Sequence, residues 1–483
     1  MWLRSTTAVP AAPAGAGAAG TAVVLRNHIV AKPTELAESR TVAFSYMATP
    51  FKPLPQGFRM AVTTEDGTFW VPFRGVRKDS KTGELVQPPI PGHVNWIHPE
   101  SRYPEEWPAI WKEQKEQADA HAKQWQWQDP YKARSGVNFT HMSFQIIGYG
   151  RKSLEDKTYE YFGSEWESQG GNDTWNDSYV DYAMSLFAPA FKDGGVRHTY
   201  WDLAFPILSG DLLSGLAYRL PDGRVQHGYN GWNVRRFMMR LWALMHDAGI
   251  TPGGNGFHST NAYLTVAMPW ADAVTDAERP FHLDSSPLDW VDNYPPERMR
   301  AMSIPESWGV AIAWMSMFEG ADGGRKIDAA RTQAQWVWMH DSWLNNWISA
   351  DHQPQLTTMP EPVLDWGVND ADTVYHPYWR NPGVACADKD VLVSAWQTAA
   401  DGHVALGVFN YDRKQAKDAV LKVDLAALGL PAGRTYARTL FNGDGGEAAI
   451  DPATGAVSIK GLPPHKLIVV GLGGVPDEAE RTR

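Results

Sequence analysis

From about residue 39 onward, short runs of bulky apolar residues alternate with longer stretches whose apolar positions recur every three or four residues, the periods of strand and helix. Thr41–Met47 reads as a buried strand, followed by the proline-punctuated loop Ala48–Gly57. Trp107, Ile110, Trp111, Ala118 and Ala122 predict a helix over Pro104–Gln128, while Val137–Ile147 and Tyr159–Phe162 read as strands. Asn176 or Asp177 caps a helix carrying Val180, Ala183, Met184 and Phe187 on one face, stopped by Gly194-Gly195. Val196–Tyr200 is a strand that ends in Asp202 and runs into the loop Ala204–Gly215. A long helix follows, with Val234, Phe237, Met238, Leu241, Leu244 and Met245 facing inward and Gly249 at its end. A short strand near Gly254–Phe257 leads to His258 and Asn261, and another, Ala273–Thr275, leads to Asp276 and Glu278. Trp308–Phe318 and Arg331–Trp347 supply further apolar helix or strand.

Strands alternating with helices argue for an α/β fold with a parallel sheet. Over residues 39–385 polar residues recur at strand ends, which favours a (β/α)8 barrel over an open doubly wound sheet. The pattern then changes. Val391–Thr398, His403–Asn410, Val420–Asp424, Thr435–Leu440, Val457–Lys460 and Leu467–Gly471 read as short strands, separated by turn dipeptides such as Asp401-Gly402 and Asn442-Gly443. This predicts a C-terminal antiparallel β-sandwich over 386–473 and a charged, disordered tail over 474–483. Residues 1–38 read as a low-complexity linker with a stray strand at Val23–Val30. The first 22, rich in Ala, Pro and Gly, lack the apolar stretch of a signal peptide and fit a linker or a truncation scar. The expectation is a chain that begins midway through a larger protein.

Composition narrows the function classes. With 483 residues, 43% of them hydrophobic, the chain can bury a large core without disulfide or metal staples. No run approaches the ~18 apolar residues of a membrane span. The net charge of −11, with no basic stripe, argues against a nucleic-acid partner. The lone Cys386 forms no intrachain disulfide and leaves the compartment open. The outlier is 23 tryptophans, which suit both large cores and platforms for sugar rings. Most of them are expected in the core.

Side chains at the carboxyl ends of barrel strands converge on one mouth. Asp202, in Tyr200-Trp201-Asp202-Leu203-Ala204-Phe205-Pro206, occupies such a position, where a carboxylate acts as nucleophile or stabilises an oxocarbenium ion, or else simply caps the next helix. Asp276 and Glu278 follow a later strand and reach the same mouth. Glycoside hydrolysis needs two carboxylates in different environments, one ionised and one held protonated by apolar surroundings. Trp201, Trp270 and Phe281 are candidates for that apolar wall. Glu278 alternatively pairs with Arg279. Glu165, His258 and Asn261 suit hydrogen bonds to hydroxyls, and Trp96, Trp166 and Trp201 suit stacking on sugar faces, with ordinary packing the competing reading. No His-Glu-x-x-His, paired-cysteine, phosphate-loop or Gly-x-Ser-x-Gly pattern occurs, so the sequence calls for no metal and no cofactor.

Several of these segments together resemble a family. Ala48-Thr49-Pro50-Phe51-Lys52-Pro53-Leu54-Pro55, Tyr200–Pro206, Tyr218-Arg219-Leu220-Pro221-Asp222-Gly223-Arg224, His258-Ser259-Thr260-Asn261 and Ala271–Glu278 look like signatures of bacterial glycoside-hydrolase-like proteins related to glycoside hydrolase family 123. The likeness covers roughly residues 23–473. It implies a (β/α)8 barrel with a C-terminal β-sandwich, preceded in longer relatives by a further sandwich. Hexosaminidases of family 123 use an adjacent Asp-Glu pair in substrate-assisted catalysis. Here Asp202 is followed by Leu203, whereas Asp276-Ala277-Glu278 resembles an Asp-Gly-Glu of relatives. The layout of a strand-end Asp with a later acid is also similar to retaining α-galactosidase-like barrels.

The resulting expectation is a glycosidase acting on an oligo- or polysaccharide with a pair of carboxylates and retention of configuration. Asp202 is the nucleophile or ion stabiliser, Glu278 the general acid/base, and Asp276 tunes Glu278 or orients the sugar. Two alternatives stay open: a barrel that binds glycans without cleaving them, and a substrate-assisted N-acetylhexosaminidase.

Overall fold

The computed structural model describes residues 7–10, 21–24, 47–54, 58–64, 67–70, 77–78, 85–86, 109, 112, 116, 145–149, 177–192, 198–202, 208–210, 212, 216–249, 255–258, 266–276, 281–285, 289–314, 318–320, 323–344, 362–363, 366–368, 372–398, 402–430, 435–442, 445–451 and 456–474. Two compact units divide at Met47/Ala48. In the first, Thr7–Pro10 pairs antiparallel with Thr21–Val24, Thr7 opposite Val24, within a stretch that reads as linker in the sequence. Thr-Ala-Val steps supply enough strand propensity for a hairpin despite the surrounding Ala and Gly.

The second unit opens on a parallel sheet. Its strands are β1 (Gln145–Tyr149), β2 (His198–Asp202), β3 (Asn255–His258), β4 (Ala273–Asp276), β5 (Ala311–Trp314) and β6 (Trp343–Leu344). They lie side by side in chain order, all parallel. Parallel neighbours require crossovers. Helix α1 (Asp177–Lys192) joins β1 to β2, and α2 (Gly231–Asp247) joins β2 to β3. The short helices α3 (Trp290–Asn293), α4 (Pro296–Met302) and α5 (Pro305–Trp308) lie between β4 and β5, and α6 (Gly323–Trp338) joins β5 to β6. Among the described residues the sheet has six strands. The strand expected over Tyr159–Phe162, and that over Thr41–Met47 apart from its last residue, fall outside them, as does most of the helix expected over Pro104–Gln128. No helix of the described residues is long and apolar enough to cross a membrane.

Small and large residues sort to opposite faces of the sheet. Ala273 and Ala311 pack with Phe58 and Leu54 on one face, while Ile312 and Trp314 pack with Trp336 and Val337 of α6 on the other. The fully buried Ala-Ile-Ala-Trp of β5 is what a strand covered on both faces requires.

An antiparallel part follows in the same unit. One sheet has five strands, in the order β7 (Thr373–His376), β9 (Val391–Thr398), β10 (His403–Asn410), β15 (Leu467–Gly474) and β12 (Thr435–Phe441). The other has four: β8 (Val384–Cys386), β11 (Lys417–Val423), β14 (Val457–Leu462) and β13 (Glu447–Ile450). Val393, Leu406, Ile468 and Val470 meet Leu421, Val457 and Ile459 in the core between the sheets. The alternate residues of the larger sheet, Trp396, Ala405, Phe409 and Val469, belong to the core of Trp336, Val337 and Met339 at the end of α6. The larger sheet is therefore buried on both sides. It also begins at Thr373, so a boundary drawn at 385/386 cuts through β8.

Candidate active site

The register of the parallel sheet places three of the candidate residues at one edge. Tyr149 of β1 pairs with Asp202 of β2, and Trp201 pairs with Phe257 of β3, so His258 stands level with Asp202. His258 pairs with Thr275 of β4, leaving Asp276 one residue further along, opposite Trp314 of β5. Asp202, His258 and Asp276 are the last residues of three neighbouring strands. Adjacent strands lie ~4.8 Å apart, so the backbones at Asp202 and Asp276 are separated by about 10 Å across the sheet. β3 and β4 each run one residue past the stretch that the sequence pattern marks, taking in His258 and Asp276, and β2 closes on Asp202.

The two acids occupy different rows. Asp202 and His258 share a row with Ala313, whereas Asp276 shares one with Trp314, whose side chain packs on the helix-covered face. Successive rows belong to opposite faces of a pleated sheet. Glu278, Glu165, Trp166, Asn261 and Trp96 lie outside the described residues, and Trp201 is placed in β2 by its backbone.

Among the described residues, the carboxyl edge carries an acid–imidazole pair that the sequence reading missed. Beyond β4 and β5, Phe281-His282 and Phe318-Glu319 pair in parallel, and His282 Nδ1 lies 3.1 Å from Glu319 Oε2, both groups solvent-exposed. Asp284 and Arg325 form a second exposed pair beside it, at 3.3 Å. A Phe followed by a polar residue a few positions past each strand was the available signal.

The opposite, amino-terminal edge is built differently. Lys52 Nζ is 2.7 Å from the fully buried Asp272, whose other oxygen accepts from the Asn255 N–H. Arg59 forks onto Asp341 through two 2.8 Å bonds and donates to the Thr373 carbonyl, while the Trp396 indole also donates to Asp341. Buried charges paired in this way hold elements together, and in strand–helix barrels this edge serves stability. The described part of the proline-punctuated segment, 48–54, belongs here. The Phe51 N–H donates to the Trp308 carbonyl, Lys52 pairs with Asp272, and Leu54 packs against Ala273 and Ala311. An open cleft of about 680 Å³, lined by Thr49, Pro50, Arg300, Glu306, Trp379 and Arg380, lies beside the same edge, where α5 leads into β5.

Among the described residues, the side-chain contacts at the carboxyl edge are the exposed His282–Glu319 and Asp284–Arg325 pairs, whereas the amino-terminal edge holds its charges in buried pairs.

No family model matches the chain, and no curated protein matches it. Solved structures do. A maltogenic α-amylase from Thermotoga neapolitana matches at 10% identity and a TM-score of 0.38 over 69% of this chain and 78% of that one. A GH36 α-galactosidase from Geobacillus stearothermophilus, in complex with stachyose, matches at 11% identity and 0.38 over 74% and 46%. An α-galactosidase from Lactobacillus brevis matches at 9% identity and 0.37 over 75% and 46%. The chain thus spans less than half the length of these two α-galactosidases. Similarity at this level leaves both fold and function to be argued from the chain's own residues.

Proposed function

We propose that the protein is a glycoside hydrolase whose reaction centre lies at the carboxyl edge of the parallel sheet. One observation carries this reading: Asp202, His258 and Asp276 close three neighbouring parallel strands. Ligands of parallel α/β sheets bind outside the carboxyl ends of the strands. Asp202 serves as the nucleophile or stabilises the oxocarbenium ion, and Glu278 donates a proton to the leaving oxygen and then activates water, with retention. Asp276 tunes Glu278 or orients the sugar. His258, Asn261 and Glu165 bind hydroxyls, and Trp96, Trp166 and Trp201 stack on sugar faces. The likeness of the Tyr200–Pro206 and Ala271–Glu278 segments to glycoside-hydrolase-like proteins supports the same assignment.

The test is a panel of aryl glycosides and polysaccharides, with the anomer released followed by NMR. Asp202→Asn and Glu278→Gln should each lower turnover by about 10²–10⁴-fold or more while shifting the melting temperature little. Full activity in either variant removes that residue from the mechanism.

A second reading is favoured by the row offset between Asp202 and Asp276. Asp276 and Glu278 would then act together on the acetamido group of an N-acetylhexosaminide, without Asp202 as nucleophile. An aryl N-acetylhexosaminide cleaved at near-normal rate by Asp202→Asn, but not by Glu278→Gln, would select this second route.

A further inference from the structure

The cleft of about 680 Å³ beside the amino-terminal edge takes no part in the proposed reaction, and its volume is that of a small-molecule site. One wall is the turn that follows β7. There the Arg380 N–H donates to the Pro377 carbonyl at 2.8 Å, the Tyr378 N–H donates to the Ser394 hydroxyl at 3.2 Å, and Trp379 stacks on the buried His340. Another wall is the passage from α4 to α5 through the buried Ser303 and Ile304, where the Ser342 hydroxyl donates to the Ser303 carbonyl. Thr49 and Pro50 supply the third, and the Phe51 N–H ties them down through the Trp308 carbonyl at 3.0 Å. Gly309 ends α5 at a φ of 76°, where a Cβ would strike the Lys52 carbonyl. The walls are thus preformed, which spares a ligand the cost of ordering them.

Two guanidinium groups line this frame without a protein partner. Among the arginines whose side chains are described, only Arg300, Arg380 and Arg438 make neither a side-chain hydrogen bond nor an ion pair, and the first two lie in this cleft. Elsewhere exposed arginines take an acid: Arg224 takes Asp222, Arg240 takes Asp181, Arg325 takes Asp284 and Arg413 takes Asp292. Glu297 and Glu306 line the same cleft, yet among the described residues no ion pair joins either of them to Arg300 or Arg380. Arg300 instead lies over the Trp379 ring, its Cζ 5.0 Å from the centroid. A guanidinium held on an aromatic face keeps its edge N–H groups free for an acceptor. Arg380 follows Trp379 in the chain, so both groups are anchored at one ring. The side chains packed on that ring offer no counter-charge: His340 is buried and neutral, and burial keeps the Tyr378 hydroxyl protonated.

Two unpaired guanidinium forks at one ring match an oxyanion, whose oxygens accept from both. The two glutamates in the same cleft select against a polyanion, because its surplus charge would face carboxylates. We infer that the cleft binds a small organic molecule carrying a single carboxylate or phosphate group, with the oxyanion on Arg300 and Arg380 and the carbon body against Trp379 and Pro50. The site lies at the edge of the sheet opposite to Asp202, His258 and Asp276, and it does not depend on the glycosidase reading. Because the cleft is walled by α4 and α5 on the one hand and by the turn after β7 on the other, a bound molecule stabilises the junction between the helices of the parallel part and the larger antiparallel sheet.

The experiment follows thermal unfolding of the full chain with inorganic phosphate, glycerol 3-phosphate, acetate or lactate, each against sodium chloride of equal ionic strength. At least one probe should raise the melting temperature saturably. A response to the two phosphates or to the two carboxylates identifies the anionic group, and the larger member of the responding pair should act at the lower concentration. Arg300→Met and Arg380→Met should each raise the half-saturating concentration by about tenfold, and the double variant should lose the response. Arg380→Lys, which keeps the charge but not the fork, should retain part of it. In sodium chloride alone Arg380→Met should melt with the wild type, since its guanidinium holds no partner, which separates lost binding from lost folding. Two results overturn the proposal: no response above the salt control with any of the four probes, or an equal saturable response in the double variant, which places the anion elsewhere on the molecule. Hydrolysis of glycosides by the wild type, present or absent, changes neither outcome.

Discussion

His340 shows how much one buried side chain sets the response to pH. Its Nδ1 lies 2.8 Å from the Trp336 carbonyl, which only accepts, so Nδ1 carries the proton and Nε2 accepts from the Tyr378 hydroxyl at 3.1 Å. The ring is fully buried, with Trp336 edge-on at 4.5 Å and Trp379 stacked at 6.1 Å. Burial pushes its pKa from 6.5 down to about 3, with Arg300 adding to the shift and the Trp336 bond opposing it. The native state therefore stays neutral where the unfolded chain takes up a proton. The stabilisation is complete above pH 6.5 and declines as the pH falls toward the folded value. At pH 5 the loss from this site amounts to about 2 kcal/mol. His340→Gln should remove that dependence, so that urea midpoints measured at pH 7.5 and 5 fall further for the wild type than for the variant. Parallel curves would show that some other group governs the acid limb.

Among elements, the decisive joint is the one made by Arg59. The turn Phe58–Met60 places its guanidinium against Asp341, which precedes β6, and against the carbonyl of Thr373, which begins β7. Trp396 of β9 completes the joint from the larger antiparallel sheet. Arg59→Met would leave the Asp341 carboxylate buried with only the indole N–H, a change that typically costs about 3–5 kcal/mol. Arg59→Met/Asp341→Asn should recover much of that loss, because the uncompensated charge goes with it, and chemical denaturation of both variants reads the difference. None of this joint was legible in the sequence, since nothing local in Phe58-Arg59-Met60 points to a partner nearly three hundred positions away. Elements with a strong local signal were legible: β9 and β10 run from Val391 to Thr398 and from His403 to Asn410, as their apolar runs and turn residues predict. β7, β8 and β13 were missed because four or fewer residues carry too little pattern. At the candidate site, the strand-end positions of Asp202, His258 and Asp276 could be read from the apolar runs before them, but the register could not. A one-residue offset moves a side chain to the other face, and pairing across the sheet sets it. The Ala48–Pro55 and Ala271–Glu278 segments also divide on inspection: Lys52 and Asp272 bind each other at the amino-terminal edge, while Asp276 stands at the opposite end of its strand.

For the second unit as a whole, the continuous burial along β10 has a physical origin that an isolated sandwich lacks. A sandwich sheet normally alternates apolar and polar residues because one face meets water. In β10 nearly every position is buried, since Leu406 and Val408 face the four-stranded sheet while Ala405 and Phe409 meet Trp336 and the end of α6. The larger antiparallel sheet is thus an internal layer shared by two cores, which predicts that the parallel sheet and the sandwich unfold together. Tryptophan fluorescence and far-UV circular dichroism should report coincident thermal transitions for this unit. Phe409→Ala, which opens a cavity on the α6 side, should lower its stability by about 3–5 kcal/mol while keeping a single transition. Because Phe409 packs with the end of α6, where the chain turns back into β6, and Asp202, His258 and Asp276 close their strands at the other edge, that loss should leave KM for a cleaved glycoside unchanged well below the melting temperature. Two separated transitions, or a Phe409→Ala variant that loses only the sandwich signal, would mean that the two sheets stand as independent domains despite the core they share.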